Sequence, residues 1–255
     1  MVDSKQRFSS RVENYSKYRP SYPREIVDLL ARECKLTAAS VIADVGSGTG
    51  IMSRLFLDNG NPVFAVEPNA EMRQAAELSL ASYPNFVSVP GSAEETTLAA
   101  HSVDFVLAAQ AFHWFDRQQA REEFVRILKP DGWVVLTWNE RKIGSTPFLD
   151  DYEQMLRDYA TDYAAVDHRR IDEAVLREFF APDEFKVKHL QYSQTFDFEG
   201  VKGRLLSSSY TPEPGHPNHN LMLDRLRAIF DARQVNGHVS MEYDTQIYYG
   251  HLHNE

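Results

Sequence analysis

The chain has 255 residues, 43% hydrophobic and 25% charged, with 27 Lys and Arg against 37 Asp and Glu, a formal charge of −10. The apolar share is near the roughly 45–50% of globular domains, which argues against disorder, and a chain of this length buries enough surface to fold without disulfide staples. The acidic balance argues against nucleic acid as a partner: the longest basic cluster, His168-Arg169-Arg170, is too short to neutralise a phosphate backbone. Cys34 is the only cysteine, which excludes an intrachain disulfide and a multi-cysteine metal or iron–sulfur site. No apolar signal region follows Met1, and no apolar run approaches the roughly 18 residues of a membrane span. A cytoplasmic protein without a membrane span is therefore expected, as a monomer or a homodimer.

The first 23 residues are polar and aromatic and end in Tyr18-Arg19-Pro20-Ser21-Tyr22-Pro23, a turn before a helix. Ile26, Val27, Leu29 and Leu30 among charges predict that helix over 24–35, with Cys34 at its polar end. Val41 to Val45 is a short apolar run stopped by glycines, as in a buried parallel strand. A helix over 51–59 closes at Gly60-Asn61. The alternation continues with a strand at 62–66, a helix at 69–81, strands at 86–89 and 103–108, a helix at 117–128 and a strand at 133–138. That order predicts a parallel sheet with helices on both faces. Residues 147–180 then read as two helices. Long β-rich stretches at 185–198 and 238–251 flank a helical segment at about 199–235 and fit an antiparallel pair finishing the sheet. The expected units are an N-terminal lid and first helix (1–35), a core (36–140), a helical cap (141–184), and two last strands carrying a cap insertion (185–255). The cap would sit on the carboxyl edge of the strands, where open α/β sheets bind ligands.

The strongest chemical signal is Asp44-Val45-Gly46-Ser47-Gly48-Thr49-Gly50 between a strand and a helix. Glycines there allow a sharp turn and close approach of backbone to ligand. The dinucleotide fingerprint G-x-G-x-x-G fails, because Ile51 stands where its third glycine belongs, and no lysine completes a P-loop. Glu67 lies at the end of the next strand, 23 residues beyond Asp44. An acidic residue at that place can accept hydrogen bonds from ribose hydroxyls, so the ligand reads as a nucleoside.

The ordered series resembles the class I S-adenosylmethionine-dependent methyltransferases over about residues 36–140. Asp44 to Gly50 and Val66-Glu67-Pro68-Asn69 match their first two motifs, and Gly91-Ser92-Ala93-Glu94 matches their adenine loop. Leu107 to Phe112 holds their fourth-strand position, and Leu128-Lys129-Pro130-Asp131-Gly132-Trp133 resembles the turn into their fifth strand. Tyr15 to Pro23 and Ala109 to Asp116 are similar to small-molecule enzymes of the trans-aconitate methyltransferase type. At the second stretch, DNA amino-methylating enzymes carry Asn/Asp-Pro-Pro-aromatic where this chain has Gln110-Ala111-Phe112-His113.

The resemblance implies a Rossmann-like seven-stranded sheet, mostly parallel with its last strand antiparallel, helices on both faces and helical cap insertions. S-adenosyl-L-methionine would be the cofactor, S-adenosyl-L-homocysteine the product, and a small molecule the acceptor. Gly46, Ser47, Gly48 and Gly50 would carry the methionine part and Asp44 its amino end. Glu67 and Pro68 would meet the ribose. Asn69, Met72, Ser92, Ala93 and Glu94 would surround the adenine, and Gln110 and Ala111 the sulfonium. Arg19 could pair with the cofactor carboxylate or lie on the surface. Tyr15, Tyr18, Trp114 and Trp138 either touch the acceptor or pack the structure. Phe148, Tyr152, Tyr159 and Tyr163 have helical spacing and read as core or as pocket wall.

Methyl transfer from a sulfonium requires positioning more than side-chain chemistry. His113 is the one titratable candidate near the fourth strand: a base for a hydroxyl acceptor, or a structural floor under the pocket. A carboxylate acceptor needs no base. O-methylation of a carboxylate or hydroxyl is expected. Methylation of a lipid quinone or sterol, or ligand binding without transfer, stays open. In a chain of this charge an anionic acceptor would need local cations, which draws attention to Arg19 and Arg141. His216, His219, His251 and His253 lack the carboxylate–histidine setting of a metal site, so no metal is expected.

Overall fold

A computed structural model describes residues 18–161, 163 and 173–253. Seven strands, β1 (Ile42–Val45), β2 (Val63–Val66), β3 (Phe86–Val89), β4 (Val103–Ala109), β5 (Leu128–Arg141), β6 (Phe185–Phe196) and β7 (Val239–Gly250), form one sheet in the order β3-β2-β1-β4-β5-β7-β6. β1 to β5 run parallel, and β7 runs antiparallel to both neighbours. This is the expected Rossmann-like sheet with an antiparallel last strand. All four residues of β1 are buried, as a strand covered on both faces requires. β7 instead alternates, burying Val239, Met241, Tyr243, Thr245, Ile247 and Tyr249.

Among the described residues the helices are α1 (Glu25–Cys34), α2 (Ile51–Asp58), α3 (Ala70–Ser79), α4 (Arg117–Ile127), α5 (Pro147–Tyr159), α6 (Glu173–Phe180), α7 (Phe198–Leu206) and α8 (Pro217–Arg233). Local chemistry starts them. The side chains of Asn69, Asp116, Thr146 and Asp197 accept from backbone N–H groups in the first turns of α3, α4, α5 and α7, satisfying donors that a helix start leaves open. No helix among the described residues is long and apolar enough to cross a membrane.

One face of the sheet packs Ile26, Leu30, Phe56, Phe105 and Tyr249, and the other packs Phe112, Phe124, Phe179 and Phe180. A third cluster joins α5, α7 and α8 to the start of β7 through Tyr152, Leu156, Leu205, Leu226, Phe230 and Tyr243. The two helices expected together between 147 and 180 therefore separate. α5 enters the third cluster, whereas α6 packs on the sheet face through Leu176, Phe179 and Phe180. The strand expected at 133–138 begins at Leu128 and reaches Arg141; Asp131 takes φ 64° and the register with β4 shifts there, so Lys129 to Gly132 form an irregularity within the strand. Cys34 is buried, not at a polar helix end, and burial pushes its thiol up to about 12. Trp138, a candidate for touching the acceptor, is 4% exposed and edge-packed on Phe112 and Tyr248, with ring centroids 6.2 and 5.7 Å away.

Trp138→Ala should therefore cost about 3–5 kcal/mol of stability through the cavity it leaves. Urea unfolding measures this; a loss below about 1 kcal/mol would show that Trp138 is not a core residue.

Candidate active site

The turn after β1 is fastened to the end of β2: the N–H groups of Gly46 and Ser47 donate to the Val66 carbonyl at 2.8 and 3.1 Å. Gly46 has φ 69°, and a Cβ there would stand 2.6 Å from that of Ala111. Only glycine allows the loop to pass so close to the end of β4. Glu67 is 9% exposed and spans the loop. Its Oε2 accepts from the Gly48 N–H and its Oε1 from the Asn69 N–H, both at 2.9 Å. Burial raises the Glu67 carboxyl, opposed by those two N–H groups and by Arg73.

Asp44 lies fully buried beneath the loop, where Oδ2 accepts from Ser53 Oγ at 2.6 Å and Oδ1 has no hydrogen-bond partner among the described residues. Burial pushes its carboxyl up to about 6; the Ser53 hydrogen bonds oppose this, and the nearby Glu67 adds to it.

A cleft with about 810 Å³ of empty space, its open mouth included, runs along the carboxyl ends of β1, β2 and β4. Gly46 and Gly48 form one side, and Glu67, Pro68, Asn69 and Met72 form the next. Ser92, Ala93 and Glu94 close it after β3, with Ala109, Gln110, Ala111, Trp114 and Phe115 after β4. Gln110 takes φ 55°; its N–H donates to the Thr137 carbonyl at 2.9 Å and its side-chain amide to the Asn139 carbonyl at 3.1 Å, tying the cleft floor to β5.

The cleft thus gathers twelve of the expected residues: Gly46, Gly48, Glu67, Pro68, Asn69, Met72, Ser92, Ala93, Glu94, Gln110, Ala111 and Trp114. Asp44 sits below it, and Ser47 is outside the lining. Gly50 starts α2 against Leu80. Tyr18 packs on Gly203 of α7, and Arg19 donates to the Ser207 carbonyl at 3.0 Å. His113 lies in the 3-10 turn Phe112–Trp114, half-buried and stacked near Trp114 at 4.8 Å. Tyr15 falls outside the described residues. Ala109 and Phe115 also line the cleft and were not singled out from sequence. Phe115 caps the 3-10 turn, its ring edge-on to the buried Phe112 with centroids 6.0 Å apart.

Among the described residues the lining carries Glu67 and Glu94 but no Lys or Arg, and the Gly48 N–H is already committed to Glu67. Such a surface suits a ligand with hydroxyls and a cationic group, and suits a phosphate poorly. Among the described residues no three His, Cys, Asp or Glu are grouped to hold a metal.

The buried Asp44 yields a pH prediction. Its folded-state value of about 6 lies above the ordinary 3.8, so between those limits the folded chain holds a proton that the unfolded chain has lost. Stability contributed here falls as pH rises through that window, and the penalty is complete above it. Asp44→Asn should melt higher than the native chain at about pH 8, with the gain shrinking toward zero near pH 4. A difference in melting temperature that does not vary with pH would contradict this.

Residues 43–136 match the family described as a methyltransferase domain. An uncharacterized methyltransferase of Mycobacterium tuberculosis is 41% identical over 134 residues, 52% of each chain. The chain spans about half the length of the curated relatives it matches. Among solved structures, a provisionally assigned type II methyltransferase of Anaeromyxobacter dehalogenans superposes with a TM-score of 0.66 at 22% identity, covering 91% of this chain and 97% of that one. A phosphoethanolamine N-methyltransferase of Haemonchus contortus, in complex with S-adenosyl-L-methionine, superposes with a TM-score of 0.58 at 14% identity, covering 97% of this chain and 58% of that one. At these identities the likeness to the solved structures concerns the fold. Sequence match and strand order agree: residues 43–136 are similar to a methyltransferase domain and lie in a sheet of order β3-β2-β1-β4-β5-β7-β6.

Proposed function

We propose that this protein binds S-adenosyl-L-methionine in the cleft and methylates a small-molecule acceptor, at a hydroxyl or carboxylate oxygen. The observation that carries the reading is the pairing of a glycine cradle with Glu67 in a cleft whose described lining residues include no Lys or Arg. The residues present fit the cofactor on three counts. A Cβ at Gly46 would fill the space beside Ala111. Asp44 keeps a buried oxygen without a hydrogen-bond partner among the described residues. Glu67 still has lone pairs for hydroxyl donors after accepting two backbone N–H groups.

When bound, the cofactor supplies an activated methyl on a sulfonium, open to in-line displacement. Glu67 would accept from the ribose hydroxyls, with Pro68 beside them. Asn69, Met72, Ser92, Ala93 and Glu94 would hold the adenine side. Gly46 and Gly48 would let the backbone approach the methionine part, with Asp44 orienting its amino end through the loop. Gln110 and Ala111 would border the sulfonium, with Gln110 tying that floor to β5. The chain's task is then to hold the acceptor in line and exclude water. For a hydroxyl acceptor, His113 would take the proton; for a carboxylate, no base is needed. Arg19 is turned toward α7, so its expected pairing with the cofactor carboxylate is not part of this reading.

Calorimetric titration with S-adenosylhomocysteine tests the proposal. The native chain should bind it, and Glu67→Gln should weaken binding by about 1.5–3 kcal/mol, roughly 10- to 100-fold. No binding by folded native protein would remove the cofactor reading. In a turnover assay with a hydroxyl acceptor, His113→Ala should lower kcat and flatten its pH profile; a parallel profile would leave His113 as floor alone.

A further inference from the structure

Beside the cleft, β5, β7, α5 and α7 enclose two guanidinium groups. Arg204, on α7, is 7% exposed; its Nη1 donates to Ser208 Oγ at 2.9 Å and its Nε to Tyr243 Oη at 3.4 Å. Arg141, at the end of β5, donates through Nη2 to Glu153 Oε2 at 2.5 Å and to Tyr163 Oη at 3.1 Å, and lies 5.1 Å over the Tyr152 ring. Its Nη1 is buried without an acceptor. Glu153 also serves Arg157, at 3.0 Å. One carboxylate is thus shared by two arginines, while the charge of Arg204 meets only neutral hydroxyls among the described residues. Fully buried arginine is rare unless paired, and an uncompensated buried charge is costly.

Tyr210 reports the same imbalance. Burial alone would raise its hydroxyl, yet Arg204, then Arg141, with the Ser208 hydrogen bond and Arg19, bring it below the ordinary value. Positive charge is therefore buried together at this place in a chain of net charge −10. It also adjoins the cleft: Gln110 of the cleft floor donates to the Asn139 carbonyl, two residues before Arg141 on β5.

We propose that Arg204 and Arg141 form the recognition site for a carboxylate carried by the methyl acceptor, walled by Tyr152, Tyr210 and Tyr243. The inference rests on the methyltransferase reading for the word acceptor, but not for the anion site itself. A guanidinium fork matches a carboxylate, and a single negative charge balances the guanidinium of Arg204, which meets no carboxylate among the described residues. A carboxylate held in this way has its lone pairs committed to N–H donors. It serves as an anchor, and the methylated atom is a second group on the same molecule.

The test is calorimetric titration of the full chain with 4-hydroxybenzoate, glutarate and citrate, each against its neutral amide, with and without S-adenosylhomocysteine. At least one carboxylate should bind about 10-fold or more tightly than its amide, as a charge-assisted pair requires. Arg204→Met should abolish that preference and also melt above the native chain when ligand-free, because it removes a buried unbalanced charge. Arg204→Lys, which keeps charge without the fork, should retain an intermediate preference, and Arg177→Ala, at an exposed arginine, should retain it in full. The proposal is overturned if no carboxylate is preferred over its amide, if the preference survives Arg204→Met, or if both Arg204 variants melt below the native chain. Loss of S-adenosylhomocysteine binding with the carboxylate preference intact would instead remove the cofactor reading and leave the anion site standing.

Discussion

The carboxylate of Glu67 joins three parts of the fold that otherwise meet only at their ends. It sits at the carboxyl end of β2 and takes the N–H of Gly48 from the loop after β1 and the N–H of Asn69 at the start of α3. Arg73 closes the same corner by donating to the carbonyls of Glu67 and Pro68 at 2.7 and 2.9 Å. A residue without a side-chain acceptor at 67 would leave two backbone donors without this partner and loosen the loop over Asp44. The glycine at 46 is required by the same geometry, since the loop must pass under Ala111 without a side chain. Cleft shape and cleft charge therefore share one cause.

That charge divides the carboxyl edge of the sheet into two regions. On the β2 side, Asp44, Glu67 and Glu94 present carboxylates in and beneath a cleft whose described lining residues include no Lys or Arg. On the β5–β7 side, Arg141 and Arg204 lie buried among tyrosines. Gln110 and Asn139 stand at the boundary, with Thr245 donating to Asn139 Oδ1 at 2.6 Å and the Asn139 amide donating to the Ser21 carbonyl at 3.0 Å. A cationic cofactor and an anionic acceptor would thus be drawn to neighbouring places, each by charge of the opposite sign.

Much of this was readable in the residues, and the failures have identifiable physical reasons. The apolar runs at 41–45, 62–66 and 86–89 fall on β1, β2 and β3 within a residue; β1 and β2 are apolar because they are buried on both faces, whereas β3 is an edge strand that leaves Val87 exposed. Ser92 and Gln110 carry no chemical signature of their own; they are named from the resemblance to the methyltransferase motifs, and both line the cleft. Lys129-Pro130-Asp131-Gly132 has turn composition, yet it is an irregularity inside β5, because Leu128 pairs with Val103 before the kink and Trp133 with Phe105 after it. Cys34 was placed on a polar end although it follows Leu30 by four residues and so shares its buried face. Arg204 gave no signal at all. On a nine-residue helix an arginine reads as a solvent-facing charge, and its burial depends on α7 packing against Tyr243, a contact 39 residues away in sequence. Trp138 was left open between acceptor contact and packing for a related reason: alternation along β5 shows that it has a side of the sheet, but not that Phe112 and Tyr248 fill that side.

A crystal structure of the full chain grown with S-adenosylhomocysteine tests the central claim most directly. The account predicts the nucleoside in the cleft, its ribose hydroxyls within hydrogen-bond distance of Glu67 and its amino acid tail along Gly46 and Gly48 above Asp44. Ligand bound elsewhere, or a cleft left without it at saturating concentration, would contradict the account.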